Sequence, residues 1–231
     1  LSNIQSGLPN PQGLRMVEFP IYNFLHAITF KFLGAWISFE IAGRLVTIIA
    51  SLFSAFFLFK IVDKQLNFTA GIFTAGFFLF LPYNIFYSRS ILPGPLMVCF
   101  TFASIFLYLN NKTLFSLVFG SLALLVKPYA VFLLAPAFLA KHFPKLNLKK
   151  LFLLGFKLIV IAIPLLLWRR WIQNYPEGIP ANQWLLNQGN IRLRPAWWRW
   201  LFNERIGQLI LGVWGVIPFG LGLIYQKRKN I

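Results

Sequence analysis

The chain has 231 residues, of which 58% are hydrophobic and 12% are charged, and its formal net charge is +17. A composition this apolar excludes an ordinary soluble globular domain. The positive charge does not indicate a nucleic-acid-binding protein, because the charged residues lie between long apolar runs, where they separate membrane spans.

The first predicted element is an amphipathic helix over residues 19–33, whose apolar side chains follow helical spacing. At ~1.5 Å per residue this helix is about 22 Å long, which is too short for a bilayer core of about 30 Å. We therefore expect it to lie along the outer interface, with Pro20 in its first turn and Glu18 at the positive end of its dipole. The alternative, a further membrane pass, would reverse the side of every later loop and conflicts with the distribution of lysine.

Apolar runs along the rest of the chain predict about seven membrane helices, at residues 41–61, 68–87, 92–109, 113–126, 129–140, 151–168 and 206–225. The fourth and fifth runs are short, and they form either one helix kinked at Lys127 and Pro128 or two helices that meet there. The lysine-rich segment 141–150 and the tail 226–231 both belong on the cytoplasmic side. Two crossings must then separate them, so we expect Lys127 to face outward.

The predicted fold is therefore all-α, a polytopic transmembrane helix bundle with one additional outer interfacial helix. Residues 1–40 form the outer segment with the interfacial helix, and residues 41–231 form the bundle. Within the bundle, residues 169–205 form a long outer loop.

Lysine and arginine are distributed differently between the two sides of this topology. The cytoplasmic segments hold nine lysines and one arginine, whereas the outer segments hold nine arginines and two lysines. The planar guanidinium of arginine binds phosphate bidentately, while the lysine ammonium is a strongly hydrated point charge. The outer face is thus predicted to bind an anionic phosphate. Alternatively, these arginines only contact lipid head groups or pair with Glu40, Glu177 and Glu204.

Four motifs follow one another in the first half of the chain. They are EFPIYNFLHAITFKFLG at the predicted outer helix, E-x-x-G-R-L at the first span, Y-S-R-x-x-L-P in the turn at residues 87–96, and LLVKP before the fifth run. In this order they resemble the bacterial GT-C glycosyltransferases, such as the protein O-mannosyltransferases and the aminoarabinose transferases. The resemblance covers residues 18–136. It implies that a sugar is transferred from a polyprenyl-phosphate donor to a lipid, glycan or protein acceptor at the outer face of the bacterial plasma membrane.

The resemblance also implies which segments border the carrier phosphate, namely the outer helix, the arginine that opens the first span, and the second outer loop. Arg192 and Arg194 of the long outer loop are added because tryptophans at residues 197, 198 and 200 accompany them, although Trp and Arg are equally typical of an interfacial anchor. Arg169 and Arg170, at the start of the same loop, are added as arginines of the outer face. The candidate substrate-binding residues are Glu18, Tyr22, Arg44, Ser88, Arg89, Lys127, Arg169, Arg170, Arg192 and Arg194.

Several features depart from the family pattern. Gly94 stands where the family usually has an acidic residue, and Glu18 precedes a single proline where the aminoarabinose transferases have lysine before a proline pair. The family's catalytic carboxylate has no counterpart here, so the catalytic base stays unknown and we expect a fragment that binds the carrier without transferring sugar. The alternatives are a transporter or flippase for an anionic lipid, or a non-catalytic binder of the carrier.

Neither a cofactor nor a metal ion is expected. His26 and His142 fall on opposite sides of the membrane in the predicted topology. Cys99 is the single cysteine and lies in an apolar run, where packing is its expected role.

Overall fold

A computed structural model describes residues 18–142, 147–172 and 188–224, and every regular element in these ranges is helical. The α-helices are α1 (Ile21–Leu33), α2 (Phe39–Gln65), α3 (Phe68–Phe80), α4 (Pro82–Ser88), α5 (Gly94–Leu109), α6 (Thr113–Val126), α7 (Val131–Ala140), α8 (Leu148–Ile172), α9 (Pro195–Arg199) and α10 (Val216–Ile224). Two 3₁₀ segments, Pro128–Ala130 and Gln188–Leu193, and one π-helical segment, Trp200–Ile210, complete the described elements. The all-α prediction is confirmed for these residues.

Two of the described helices, α2 and α8, are long and apolar enough to cross a membrane, and the bent pair α3 and α4 is a third candidate if it counts as one span. The helices α5 and α6 and the stretch Pro128–Ala140 are apolar but shorter. Many of the large apolar side chains face outward, such as Phe132 at 77% exposure and Phe152 at 78%. These features indicate a membrane protein, because lipid rather than water is the medium that favours such a surface.

Two of the predicted spans are broken, which corrects the sequence analysis. The run 68–87 bends by 66° between α3 and α4. Leu81 has an extended backbone conformation at the bend, and Pro82, which has no N–H to donate to α3, permits it. The run 206–225 divides as well: the π-helical segment ends at Ile210, and α10 begins at Val216. Between them Gly212 and Val213 have positive φ angles of 64° and 50°, which no helix accommodates.

The helices α6 and α7 run in opposite directions, as the two-helix interpretation predicted. Lys127 has an extended backbone conformation that ends α6 before the 3₁₀ turn. At the far end of α7, the Lys141 ammonium donates hydrogen bonds to the Tyr108 carbonyl and to Asn111 Oδ1, the latter at 2.8 Å. Since Asn111 lies just before α6, the chain has returned to the end where α6 begins.

The core has two parts that share α5. In one part, α5, α6, α7 and α8 pack around Phe138 and Ile161, and the Tyr108 ring stacks on Phe138 with 4.0 Å between ring centroids. In the other part, α1, α2 and α5 pack around Tyr22, Val46 and Leu96. The buried face of α2 consists mainly of small residues, which let neighbouring helices approach closely.

The contacts define two ends of the bundle. At one end, Lys64 Nζ donates to the Leu109 carbonyl at 2.9 Å and to Asn110 Oδ1 at 2.7 Å, close to Lys141; we call this the lysine end. The opposite end contains Glu18, the start of α2, the turn at residues 89–93, Lys127 and the last turn of α8; we call it the arginine end. For the described segments named here, those predicted to share a side of the membrane share an end of the bundle.

Candidate functional site

Four segments predicted to lie outside the membrane meet at the arginine end. The Phe19 amide donates to the Leu125 carbonyl at 3.2 Å, and the Phe19 ring packs edge-on against Trp168 with 5.0 Å between centroids. On α2, a Cβ atom at Gly43 would lie 3.1 Å from Ile91 Cγ2, so the turn before α5 touches the start of α2. The segment before α1, the start of α2, the second outer turn and the end of α8 are thus neighbours.

An ion pair between Glu18 and Lys127 joins this end of the bundle across 109 positions of sequence. Both side chains are about three-quarters buried, at 26% and 22% exposure. Burial lowers the pKa of the Lys127 ammonium, but the hydrogen bonds and charges of Glu18 and Tyr129 together raise that pKa by more. The pKa of Lys127 therefore lies above its ordinary value, and the residue stays cationic at neutral pH.

A cavity of about 580 Å³ lies beside this ion pair. Its wall comes from α2, from the α3–α4 bend, from the turn and first residues of α5, from the Lys127–Pro128 turn and from the end of the π-helical segment. The polar residues in the wall are Ser51, Tyr83, Asn84, Tyr87, Lys127 and Tyr129. The other lining side chains are apolar, so a few polar groups face a mostly apolar space, as in small-molecule sites.

Ser51 places an unpaired hydroxyl in this wall. The residue is only 3% exposed, and its Oγ has no hydrogen-bond partner among the described residues. Its neighbours on α2 differ, because Thr47 donates to the Gly43 carbonyl at 3.1 Å and Ser54 donates to the Ala50 carbonyl at 2.8 Å. A buried hydroxyl without a partner loses its hydrogen bonds to water. Because the Oγ atom is itself buried, a ligand in the cavity can become its partner only if the Ser51 side chain turns toward the cavity.

The first turn of α5 contributes the partial positive charge of a helix N-terminus. Pro93, Gly94 and Pro95 all line the cavity, and the first turn contains no acidic residue. Among the described residues outside its own helix turn, no atom lies within 4 Å of where a Cβ of Gly94 would be, so this position borders open space. An anion in the cavity would face this helix end and the Lys127 ammonium.

An apolar groove of about 610 Å³ lies on the neighbouring face of α3. Its wall contains Phe73 and Phe77 from α3 and also Trp214 and Phe219. The Trp214 ring meets Phe77 edge-on, with 5.7 Å between centroids. Phe78, the next residue on α3, lines the cavity, so the groove and the cavity occupy adjoining surfaces of the same helix.

Of the ten predicted substrate-binding residues, Lys127 lines the cavity and Glu18 is its ion-pair partner. The other eight are not among the described lining residues. Arg44 pairs with Glu40 on the same helix, and half of its side chain is exposed. Arg89 Nε and Ser88 Oγ both donate to the Ile85 carbonyl at 3.2 Å, so they complete hydrogen bonds at the end of α4.

Tyr22 holds α1 against α2. Its hydroxyl donates to the Gly43 carbonyl at 2.9 Å and lies 2.8 Å from Thr47 Oγ1, and the residue is 5% exposed. This predicted site residue is therefore part of the core between the two helices.

The remaining four predicted residues lie in two segments. Arg169 and Arg170 occupy the last turn of α8, directly after Trp168 at the arginine end. Arg192 lies in the second 3₁₀ segment, Arg194 precedes α9, and both side chains are exposed. The nearby Arg205 guanidinium lies 4.5 Å from the Trp200 ring centroid.

The sequence analysis missed most of the polar wall of the cavity. Tyr83 and Tyr87 are four residues apart on α4, and their ring centroids are 4.2 Å apart. That spacing places both rings on one helix face, so the sequence could have predicted that they lie together. No comparable signal distinguishes Ser51 from the other small polar residues of α2.

Two further observations concern metal ligands and similarity to known proteins. Among the described residues, no three His, Cys, Asp or Glu side chains gather as metal ligands would. No protein-family model, curated protein or solved structure matches the chain. The resemblance to the GT-C glycosyltransferases therefore stays a prediction.

Proposed function

We propose that this chain is part of a GT-C type membrane glycosyltransferase that takes its sugar from a polyprenyl-phosphate donor at the outer face of the bacterial plasma membrane. The observation that carries this proposal is the cavity at the arginine end, where the Lys127 cation, a helix N-terminus and Ser51 border one space. In this proposal the shorter apolar helices α5, α6 and α7 also cross the membrane and complete a bundle of about seven spans.

Each part of such a donor has a chemically suitable surface. The phosphate fits between Lys127 and the start of α5, because a cation and a helix N-terminus both stabilise negative charge. The sugar fits among the phenol rings and Ser51, because aromatic faces pack on sugar rings while hydroxyls exchange hydrogen bonds. The prenyl chain fits the apolar groove on α3.

Glu18 acts in this proposal as a positioning residue rather than as the base. A glycosyl transfer needs a carboxylate that deprotonates the acceptor and cations that stabilise the departing phosphate. The Glu18 carboxylate already accepts from Lys127, so it holds the ammonium beside the cavity. The second role, stabilisation of the leaving phosphate, is the one that these residues can perform.

The second candidate is a carrier-lipid binder without catalytic activity. It is favoured by one observation: the residues that line the cavity in the described part of the chain include no carboxylate. The same cavity would hold the same lipid, and the difference lies only in whether sugar is transferred.

The proposal can be tested by measuring the affinity of the purified chain, in nanodiscs, for a polyprenyl-phosphate-linked sugar. We expect Ser51→Ala to weaken binding by about tenfold, the value of one hydrogen bond, while stability stays equal or rises because a buried unpaired hydroxyl is removed. Ser54→Ala is the matched control, since its hydroxyl bonds within α2. It should lower stability slightly and leave the affinity unchanged.

Equal affinity of the parent and Ser51→Ala, together with equal affinity of Lys127→Gln, would show that the donor does not occupy this cavity. Binding of polyprenyl phosphate with and without sugar separates the two candidates further. A glycosyltransferase should bind the sugar-linked form more tightly, whereas a carrier binder should not distinguish the two.

A further inference from the structure

The lysine end of the bundle carries basic side chains that converge on one tyrosine. The ammonium groups of Lys141 and Lys157 lie 4.6 Å and 4.9 Å from the centroid of the Tyr108 ring. His142 Nε2 lies 2.7 Å from the Tyr108 hydroxyl, and Tyr108 is only 2% exposed. We call Tyr108, Lys141, His142 and Lys157 the Tyr108 cluster.

The positive charge of the Tyr108 cluster has no acidic partner in the described part of the chain. The two ion pairs found there are Glu18 with Lys127 and Glu40 with Arg44, both at the opposite end. Burial lowers the pKa of the Lys141 ammonium, and the charges of Lys157 and Lys64 lower it further. The positive charges therefore repel one another here, which is unfavourable unless a bound anion offsets the repulsion.

Lys157 is the member of the cluster whose charge lies inside an apolar helix. It lies in the apolar helix α8, about 14 Å along the axis from Leu148 at 1.5 Å per residue. An ionisable side chain inside an apolar span has an unfavourable free energy, and it usually marks a functional site with a definite partner. The contacts found for Lys157 are with Tyr108, through its ring and through its hydroxyl at 3.4 Å.

The ammonium groups keep hydrogen-bond donors for a ligand. An ammonium has three N–H donors. Lys141 uses two of them, on the Tyr108 carbonyl and on Asn111, and Lys157 uses one, on the Tyr108 hydroxyl. Lys141, His142 and Lys157 are all half-buried, so they are sheltered from solvent but still accessible to a ligand.

We propose that Lys141, Lys157 and His142 together bind a phosphoryl group, supplied either by the head group of an anionic phospholipid or by free phosphate. A phosphoryl group offers several strong acceptor oxygens in different directions, which suits donors that approach from α7, from the turn after it and from α8. This site lies at the end of the bundle opposite the proposed donor cavity and does not depend on it.

Native mass spectrometry of the chain released from phosphatidylglycerol nanodiscs tests the lipid source. We expect the parent to retain phosphatidylglycerol in preference to phosphatidylcholine, and Lys141→Gln and Lys157→Met each to weaken this retention by about tenfold. Lys60→Gln is the matched control at the same end, because its ammonium lies over the Phe56 and Phe59 rings rather than near Tyr108. Lys141→Arg preserves the charge and should retain the lipid, which separates binding from misfolding.

The free-phosphate source is tested in phosphatidylcholine nanodiscs. If inorganic phosphate is the ligand, millimolar phosphate should raise the thermal midpoint of the parent and of Lys60→Gln, but not that of Lys157→Met. The proposal fails if neither probe binds the parent, or if Lys60→Gln loses binding as strongly as the two cluster variants.

Discussion

The Glu18 and Lys127 side chains should be coupled far more strongly than the Glu40 and Arg44 side chains, although both pairs join a carboxylate to a cation. The first pair is about three-quarters buried and connects segments that are distant in sequence. The second has side chains that are 62% and 50% exposed and lies within one helix at i, i+4. The two pairs thus differ in sequence separation as well as in burial, and burial is the property from which the expected magnitudes are derived.

The expected magnitudes follow from these exposures. An exposed i, i+4 pair is worth about 0.3–0.5 kcal/mol, whereas removing one partner of a fully buried pair costs about 3–5 kcal/mol. Since Glu18 and Lys127 are mostly but not fully buried, we expect a coupling energy of about 1–3 kcal/mol. Glu18→Gln alone should be destabilising, because it leaves a sheltered ammonium without a counter-charge.

The assay is a pair of double-mutant cycles, with unfolding free energies from SDS titration in mixed micelles. One cycle combines Glu18→Gln with Lys127→Met, and the control cycle combines Glu40→Gln with Arg44→Gln. Coupling energies that are equal in the two cycles would refute the reasoning, since burial would then have no effect.

The same ion pair predicts a pH dependence. The pKa of Lys127 in the folded chain lies above its ordinary value, so the stabilisation is fully present below the unfolded pKa of about 10.4. It is lost as the pH rises through the higher folded pKa. The parent should therefore lose stability in this alkaline range, and Glu18→Gln should lose less.

Two further predictions concern packing and topology. Gly43→Ala should destabilise the chain by about 1–3 kcal/mol through overpacking, because the new Cβ would lie 2.8 Å from His26 Cε1, and a 2.7 Å contact with the Phe39 carbonyl holds the His26 ring in place. Gly76→Ala should be neutral or stabilising, because no described atom outside its own helix turn would lie within 4 Å of the new Cβ; equal losses in the two variants would exclude the steric cause. The topology can be tested in a Cys99→Ser background with a membrane-impermeant thiol reagent applied to intact cells. The reagent should label Arg89→Cys and spare Lys112→Cys, because lysine-rich segments stay cytoplasmic. The reverse labelling would invert the predicted topology.

The sequence by itself determined the helical fold class and most helix positions. Apolar runs and their flanking lysines are local properties, so residues 41–61 predicted α2 and residues 151–168 predicted α8 to within a few residues at each end. The break at Lys127 and Pro128 and the grouping of lysine-bearing segments at one end also followed from local signals. The number of membrane spans and the glycosyltransferase function stay predictions.

Whether a predicted membrane helix is interrupted at a proline depended on the tertiary structure. Pro136 and Pro164 lie inside α7 and α8, which continue through them, whereas the chain bends sharply at Pro82. A missing backbone donor permits a bend but does not impose one, because neighbouring helices decide whether the helix straightens or turns. Proline alone therefore could not show which of the predicted spans would break.

The site was decided almost entirely by tertiary structure. Glu18 and Lys127 were both candidates, but nothing in the sequence paired them, and the unpaired Ser51 hydroxyl resembled its bonded neighbours Thr47 and Ser54 on the same helix. Conversely, some of the arginines predicted to bind phosphate have other partners, as Arg44 has Glu40. Periodicity tells which residues share a helix face, but the partner across the interface depends on how each helix is rotated and how it crosses its neighbours, and only the packed bundle sets those two angles.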